Sequence, residues 1–223
     1  MHDREAGADR TPGRREALPL DRFNAFSDGV LAIAITLLVL ELTVPAARGG
    51  LLASLREEWT EFLGYLISFA FIGGMWVGHA QMTRLMKQAD TVAAGLNLLV
   101  LLFIGLLPFT TSLMVSNLSG PDVEAAVVIY GINVLVASLG LTLLMVYLVS
   151  ERALLVDDIA DDTLATLARE RWVLNGIWAV AVVIAVVQPT VAVGIYVMAT
   201  AAALVFPLVG LRLTRRRAPS PRT

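Results

Sequence analysis

The stretch RFNAFSDGVLAIAITLLVLEL, Arg22 to Leu42, decides how the rest of the chain is read. It is long and apolar enough to cross a bilayer, which takes roughly 20 such residues in a helix. Yet it carries Asp28 near its start, Thr36 in its middle and Glu41 near its end. A helix that only anchored the chain would need none of them. At about 100° per residue, Ile33, Leu37 and Leu40 form one stripe, extended by Phe26 and Gly29 at one end and Val44 at the other, with Thr36 at its border. Asn24 and Asp28 fall on the opposite face. An ionisable group inside a span is costly and normally faces protein or water. The expectation is therefore that Asp28 points into its own subunit. His79, Asn97 and Arg84 are its candidate partners in a polar network that fixes the tilt of the helix. The competing reading is an acid wetted at the membrane surface, a turn and a half past Arg22. By periodicity alone the Leu/Ile stripe is what packing or lipid contact produces, and the Thr36 hydroxyl can bond back to the Ala32 carbonyl.

Composition extends the membrane reading to the whole chain. Of 223 residues, 57% are hydrophobic and 16% charged, against about a quarter charged in soluble domains. There is no cysteine, which excludes disulfides and thiolate metal sites. The hydropathy pattern predicts an all-α polytopic membrane protein with six transmembrane helices: 22–44, 59–82, 92–115, 123–149, 172–188 and 190–211. Pro45 and Gly49–Gly50 end the first span. Ser116 to Asp122 separates the third and fourth, and Gln188–Pro189 makes a tight hairpin of the last two. Pro108 is expected to kink the third span, and Pro207 is a second such point in the sixth. Fifteen Lys and Arg fall on one side of this arrangement, and only Arg48 and Arg56 on the other. That asymmetry puts both termini in the cytoplasm. The expected divisions are a disordered cytoplasmic tail over 1–21, the six-helix domain over 22–213 and a basic cytoplasmic tail over 214–223. A cleaved signal peptide ending at "VPAA" is the alternative for the first span. Its length, its internal acid and the mismatched loop charges that its removal would leave argue against that.

The motif Arg-x-x-x-Phe-Ser-Asp, met by Arg22, Phe26, Ser27 and Asp28, resembles the first-helix signature of the transmembrane protein 175 family, the lysosomal and prokaryotic potassium channels. The following "AIAITLLVLEL" matches as well. "WVGH" (Trp76 to His79) and "NLLVLLFIGLLPF" (Asn97 to Phe109) extend the likeness into the second and third spans. The last three spans match only in hydropathy. The resemblance implies a pore surrounded by first helices and constricted by rings of aliphatic side chains, without a carbonyl filter. Carried onto this chain, Ile33 takes the narrowest ring, Leu37 and Leu40 lie further outward, and Thr36 forms a hydroxyl layer. A single six-helix repeat implies the prokaryotic type: a homotetramer in a bacterial plasma membrane, with K⁺ as permeant ion and no cofactor. Its partners are then itself and the membrane lipids, with no nucleic acid and no small-molecule substrate. A closed ring of branched side chains expels water and gates by dewetting. K⁺ sheds hydration more readily than Na⁺, so such a ring favours K⁺, to a modest degree.

Other features point elsewhere and are weaker. "DDIADD" (Asp157 to Asp162) resembles an Asp-rich diphosphate site, but no second cluster faces it and apolar residues are interleaved, as in a solvated amphipathic helix. His79 can titrate near neutrality, although a hydrogen-bonded structural histidine fits its setting better. Gly74 and Gly78 have the spacing of close helix packing. Glu41, Glu57, Glu58 and Glu61 would make an outer mouth attractive to cations, or form an ordinary solvated rim. No Ser-His-Asp set, HExxH motif or Gly-rich phosphate loop is present, so nothing points to an enzyme. The main alternative is a proton-coupled or small-solute secondary transporter with Asp28 and His79 as a relay. Such proteins place charge at the midplane and carry inverted repeats, neither of which is evident here. A structural membrane subunit without flux is the third reading.

Overall fold

The structure is a computed structural model, and it describes residues 18–42, 50–157 and 159–216, with side chains at 51, 55, 57 and 203–216 excepted. The break at Pro45–Gly49 and the tails over 1–17 and 217–223 lie outside the described residues. Helix α1 runs Leu20–Leu37 and tightens into a 3₁₀ turn over Leu38–Glu41. It is followed by α2 (Leu51–Glu57), α3 (Trp59–Thr83), α4 (Thr91–Gly105), α5 (Leu107–Ser116), α6 (Val123–Ser150), a 3₁₀ turn over Arg152–Leu154, α7 (Asp161–Ala185) and α8 (Pro189–Arg216). Among the described residues the only extended pairings are two isolated bridges, Leu18 with Ala89 and Met86 with Leu155.

Local chemistry accounts for the boundaries. Pro108 lacks the N–H that would bond the Ile104 carbonyl, so the third hydrophobic stretch breaks at Leu106 into α4 and α5. Asn133 of α6 spans the break, donating to the Phe103 carbonyl and the Thr110 hydroxyl at 3.2 Å each. Asp90 caps α4: one carboxylate oxygen accepts the Ala93 N–H at 2.9 Å. Its other oxygen accepts the Tyr147 hydroxyl at 2.6 Å, which ties the start of α4 to the end of α6. Pro189 opens α8 immediately after the turn that ends α7, so the last two helices form the expected hairpin. Gly50 has a φ of 99°, a left-handed backbone that suits glycine, and it starts α2, a short helix with no hydrophobic period to announce it.

Helix α6 is the hub. Tyr130, Leu141, Leu144 and Leu148 along it are fully buried. Tyr130 meets the Tyr196 ring of α8 at 5.5 Å, and its hydroxyl lies 3.1 Å from Ser68 Oγ of α3, itself 2.7 Å from Thr111 Oγ1 of α5. At one end of the bundle three connections interlock. Lys87 N–H bonds the Leu154 carbonyl at 2.9 Å, Val156 N–H bonds the Leu85 carbonyl at 2.8 Å, and Leu18 N–H bonds the Ala89 carbonyl at 2.7 Å. The acids read as a possible metal motif belong to this end. Asp157 pairs with Lys87 at 3.3 Å and Asp161 pairs with Arg152. Asp161 and Asp162 occupy the first turn of α7, where the helix dipole favours them. Four helical stretches among the described residues are long and apolar enough to cross a membrane: 20–41, 59–83, 91–116 and 123–150. Helix α7 begins in its charged segment, eleven residues before the apolar run expected from 172.

Candidate functional site

Helix α1 has two unlike faces. Phe23, Ser27, Leu31, Ala34 and Leu38 are buried against the bundle. Arg22, Phe26, Gly29, Ile33, Thr36, Leu37 and Leu40 are exposed and share an arc of about 100°. Ile33 is 60% and Leu40 75% exposed, large values for branched apolar side chains. A Cβ added at Gly29 would meet nothing within 4 Å. Along the axis Ile33 and Leu40 lie about 10 Å apart. The Thr36 hydroxyl donates to the Ile33 carbonyl at 2.8 Å, one residue later than the expected Ala32 bond. The exposed stripe is therefore unpartnered within one subunit.

The buried face is held by a chain of hydrogen bonds. The Ser27 hydroxyl donates to the Phe23 carbonyl at 2.8 Å, and the Asn97 amide nitrogen of α4 donates to Ser27 Oγ at 2.8 Å. The Asn97 amide oxygen lies 3.0 Å from His79 Nε2 of α3. With the amide in that orientation, His79 Nε2 carries the proton and donates. The donor direction thus runs from α3 through α4 to α1, and each of these side-chain groups in the seam has a partner. Phe23 stacks on the His79 ring at 5.8 Å and 13°.

Asp28 is not part of this chain, contrary to the sequence expectation. It is exposed and accepts the Trp76 indole N–H at 3.0 Å. The residue that enters the seam is its neighbour Ser27, rotated by about 100°. The reason is desolvation: a hydroxyl with both bonds made can be fully buried, whereas a carboxylate there would need a cation beside it. Arg84, the cationic candidate, is exposed near the end of α3. Asp28 and His79 each have their own partner and are not bonded to one another. Trp76 is a residue of the WVGH motif. Its spacing of three from His79 puts both on the side of α3 that faces α1, and this is the signal that could have assigned it.

At the far end of α1 a cavity of 230 Å³ lies between Leu40, Glu41, Glu61, Tyr65, Ser112 and Ser116. Two of the four carboxylates expected at an outer mouth border it. Glu58 is half-buried beside Trp59, and the Glu57 side chain is outside the described residues. No group of three or more His, Asp or Glu positioned to hold a metal occurs among the described residues.

A bundle of apolar helices, with one helix that keeps its polar bonds on one side and a bare aliphatic stripe on the other, defines a class: the helical membrane proteins. The model for the family described as endosomal/lysosomal potassium channel TMEM175 matches residues 22–108. A protein named as a potassium channel in Streptomyces collinus is 43% identical over 99 residues, 44% of this chain and 48% of its own length. Another so named in Chamaesiphon minutus is 42% identical over 113 residues, 49% of this chain and 56% of its own. The chain thus spans about half the length of these curated relatives. The solved structure of a lysosomal potassium-selective channel TMEM175 homologue from Chamaesiphon minutus superposes with a TM-score of 0.76 at 29% identity, over 84% of this chain and 97% of that one. The fold therefore extends through the last three helices, where the sequence resemblance was hydropathy alone.

Proposed function

We propose that the chain forms a passive, potassium-preferring cation channel, a homotetramer in a bacterial plasma membrane with the four copies of α1 around the ion path. The observation that carries this is the arc of α1 that leaves Ile33, Thr36, Leu37 and Leu40 exposed in one subunit while the opposite face is tied down. Four such arcs facing one axis give aliphatic rings at Ile33, Leu37 and Leu40. Ile33 is the narrowest and Thr36 supplies hydroxyls that replace part of the lost hydration. The ring excludes water when narrow and passes the more readily dehydrated K⁺ in preference to Na⁺. Six spans with both ends in the cytoplasm are supported by the interlocked connections, which gather Leu18, Lys87, Arg152 and Arg84 at one end of the bundle.

Ion flux from proteoliposomes tests the reading, under a K⁺ gradient and then a Na⁺ gradient, for wild type and Ile33→Asn. K⁺ flux should exceed Na⁺ flux, and Ile33→Asn should narrow the difference while raising total flux. Assembled protein that passes neither ion overturns the proposal.

A further inference from the structure

A cavity of 480 Å³ lies between α3, α6 and α7, and no residue of α1 lines it. That volume is typical of sites for small ligands, roughly 300–1,000 Å³. Its floor is aromatic: Phe71 of α3 and Trp178 of α7 meet edge to face at 5.6 Å. Met145 and Leu174 line its walls. At its other end the Arg171 guanidinium rests against Gly78, in the space where a Cβ would sit. Arg171 and Trp178 are seven residues apart on α7, and Gly78 and Phe71 seven apart on α3. The two antiparallel helices therefore touch at both ends of a slot about 10 Å long.

The slot is apolar except for its charged rim. Arg171 is largely withdrawn from the surface, yet it makes no ion pair or hydrogen bond among the described residues. Arg169 and Glu170 also line the rim, which leaves one net positive charge. A guanidinium removed from water without an anion is costly. It sits where the charged start of α7 gives way to the apolar run Trp172 to Ala185, which on the proposed six-span topology is the depth of lipid headgroups. Basic pockets between membrane helices at that depth suit phosphorylated headgroups. We infer that this cavity binds an anionic phospholipid of the surrounding membrane, its phosphate on Arg171 and one acyl chain in the slot down to Phe71 and Trp178. Glycine at 78 is then required so that the guanidinium can lie flat on α3 at the headgroup position. The inference is independent of whether the protein conducts ions.

The test is thermal unfolding of the full chain in neutral detergent, titrated with phosphatidylglycerol, phosphatidylcholine, oleate and inorganic phosphate in turn. Phosphatidylglycerol should raise the wild-type melting temperature at concentrations where the other three do not. Arg171→Gln removes one charge-assisted contact and should weaken half-saturation roughly tenfold. Leu174→Trp fills the slot and leaves the charge, and it should abolish the shift even if Arg171→Gln fails to fold. An equal shift from phosphate would mean a bare anion site, and one from oleate a fatty-acid site; either overturns the phospholipid assignment. So does an undiminished phosphatidylglycerol response in Leu174→Trp. A change of oligomer size in that variant with lipid response intact would mean that a second copy fills the slot.

Discussion

If Ser27 rather than Asp28 joins α1 to the bundle, the two residues should respond to substitution in opposite ways. Asn97→Leu keeps the branched heavy-atom skeleton and removes both bonds of the seam. His79 Nε2–H, 3% exposed, is left without an acceptor. An orphaned buried donor costs about 1–3 kcal/mol. The lost Asn97–Ser27 bond adds about 0.6 kcal/mol, the average for side-chain bonds between membrane helices. The expected loss is about 2–3 kcal/mol, read as a fall of roughly 4–10 °C in melting temperature for a chain of this size. Adding His79→Phe removes the orphan and keeps the stack on Phe23, so the double variant should regain roughly 1–2 kcal/mol. Asp28→Ala loses a single exposed bond to Trp76 and should cost no more than about 1 kcal/mol. Thermal denaturation of the purified assembly, with each variant paired against wild type, measures all three. A larger loss in Asp28→Ala than in Asn97→Leu, or a double variant no better than the single, refutes the assignment of the seam.

Three further predictions rest on other contacts. Tyr147→Phe removes the 2.6 Å bond to the cap carboxylate of α4 and should lower stability by about 1 kcal/mol in the same assay. Gly131→Ala drives a methyl into the Tyr196 hydroxyl, with Val182 Cγ2 at 2.9 Å, so it should cost about 1–3 kcal/mol; Tyr196→Phe in the same chain should return part of it. Pro108→Ala restores the N–H that the Ile104 carbonyl lacks and lets α4 and α5 join, which pulls Thr110 and Phe103 away from Asn133. Slower amide exchange around residue 108, together with lower overall stability, is the expected pair of results.

What the sequence disclosed depended on how local the cause was. The break at Pro108 and the hairpin at Pro189 follow from proline's missing N–H and were legible from single residues. The two-faced character of α1 was legible from its period. Which face met the bundle at Asp28 was not, because periodicity gives relative angles and the preference for burying Ser27 depends on Asn97, 70 residues away. Helix α2 carries too few residues for a period. The Gly74–Gly78 spacing suggested backbone contact, but Gly78 instead admits the guanidinium of Arg171, whose approach no local pattern reveals. A close approach of the expected kind occurs at Gly140, where the backbone Cα of Val100 would lie 3.7 Å from an added Cβ.

The polar seam has a physical reason to sit where it does. Within the apolar part of α1 only 28% of the residues are buried in the subunit, against 56% for α6. In lipid, apolar contact between helices gains little over contact with acyl chains. A helix that leaves one face bare is therefore weakly held by packing, and its rotation about its own axis is the soft coordinate. A rotation of about 100° exchanges neighbouring residues between faces and would replace Ile33 with Ala32 or Ala34 at the same height. The directional bonds from His79 through Asn97 to Ser27 resist that rotation where shape alone would not. The Asp28–Trp76 bond resists it a quarter-turn away, from the edge of the exposed arc. Polar residues at the start of α1 thus fix the azimuth of aliphatic residues one to three turns further along, and this is why an apolar span carries them.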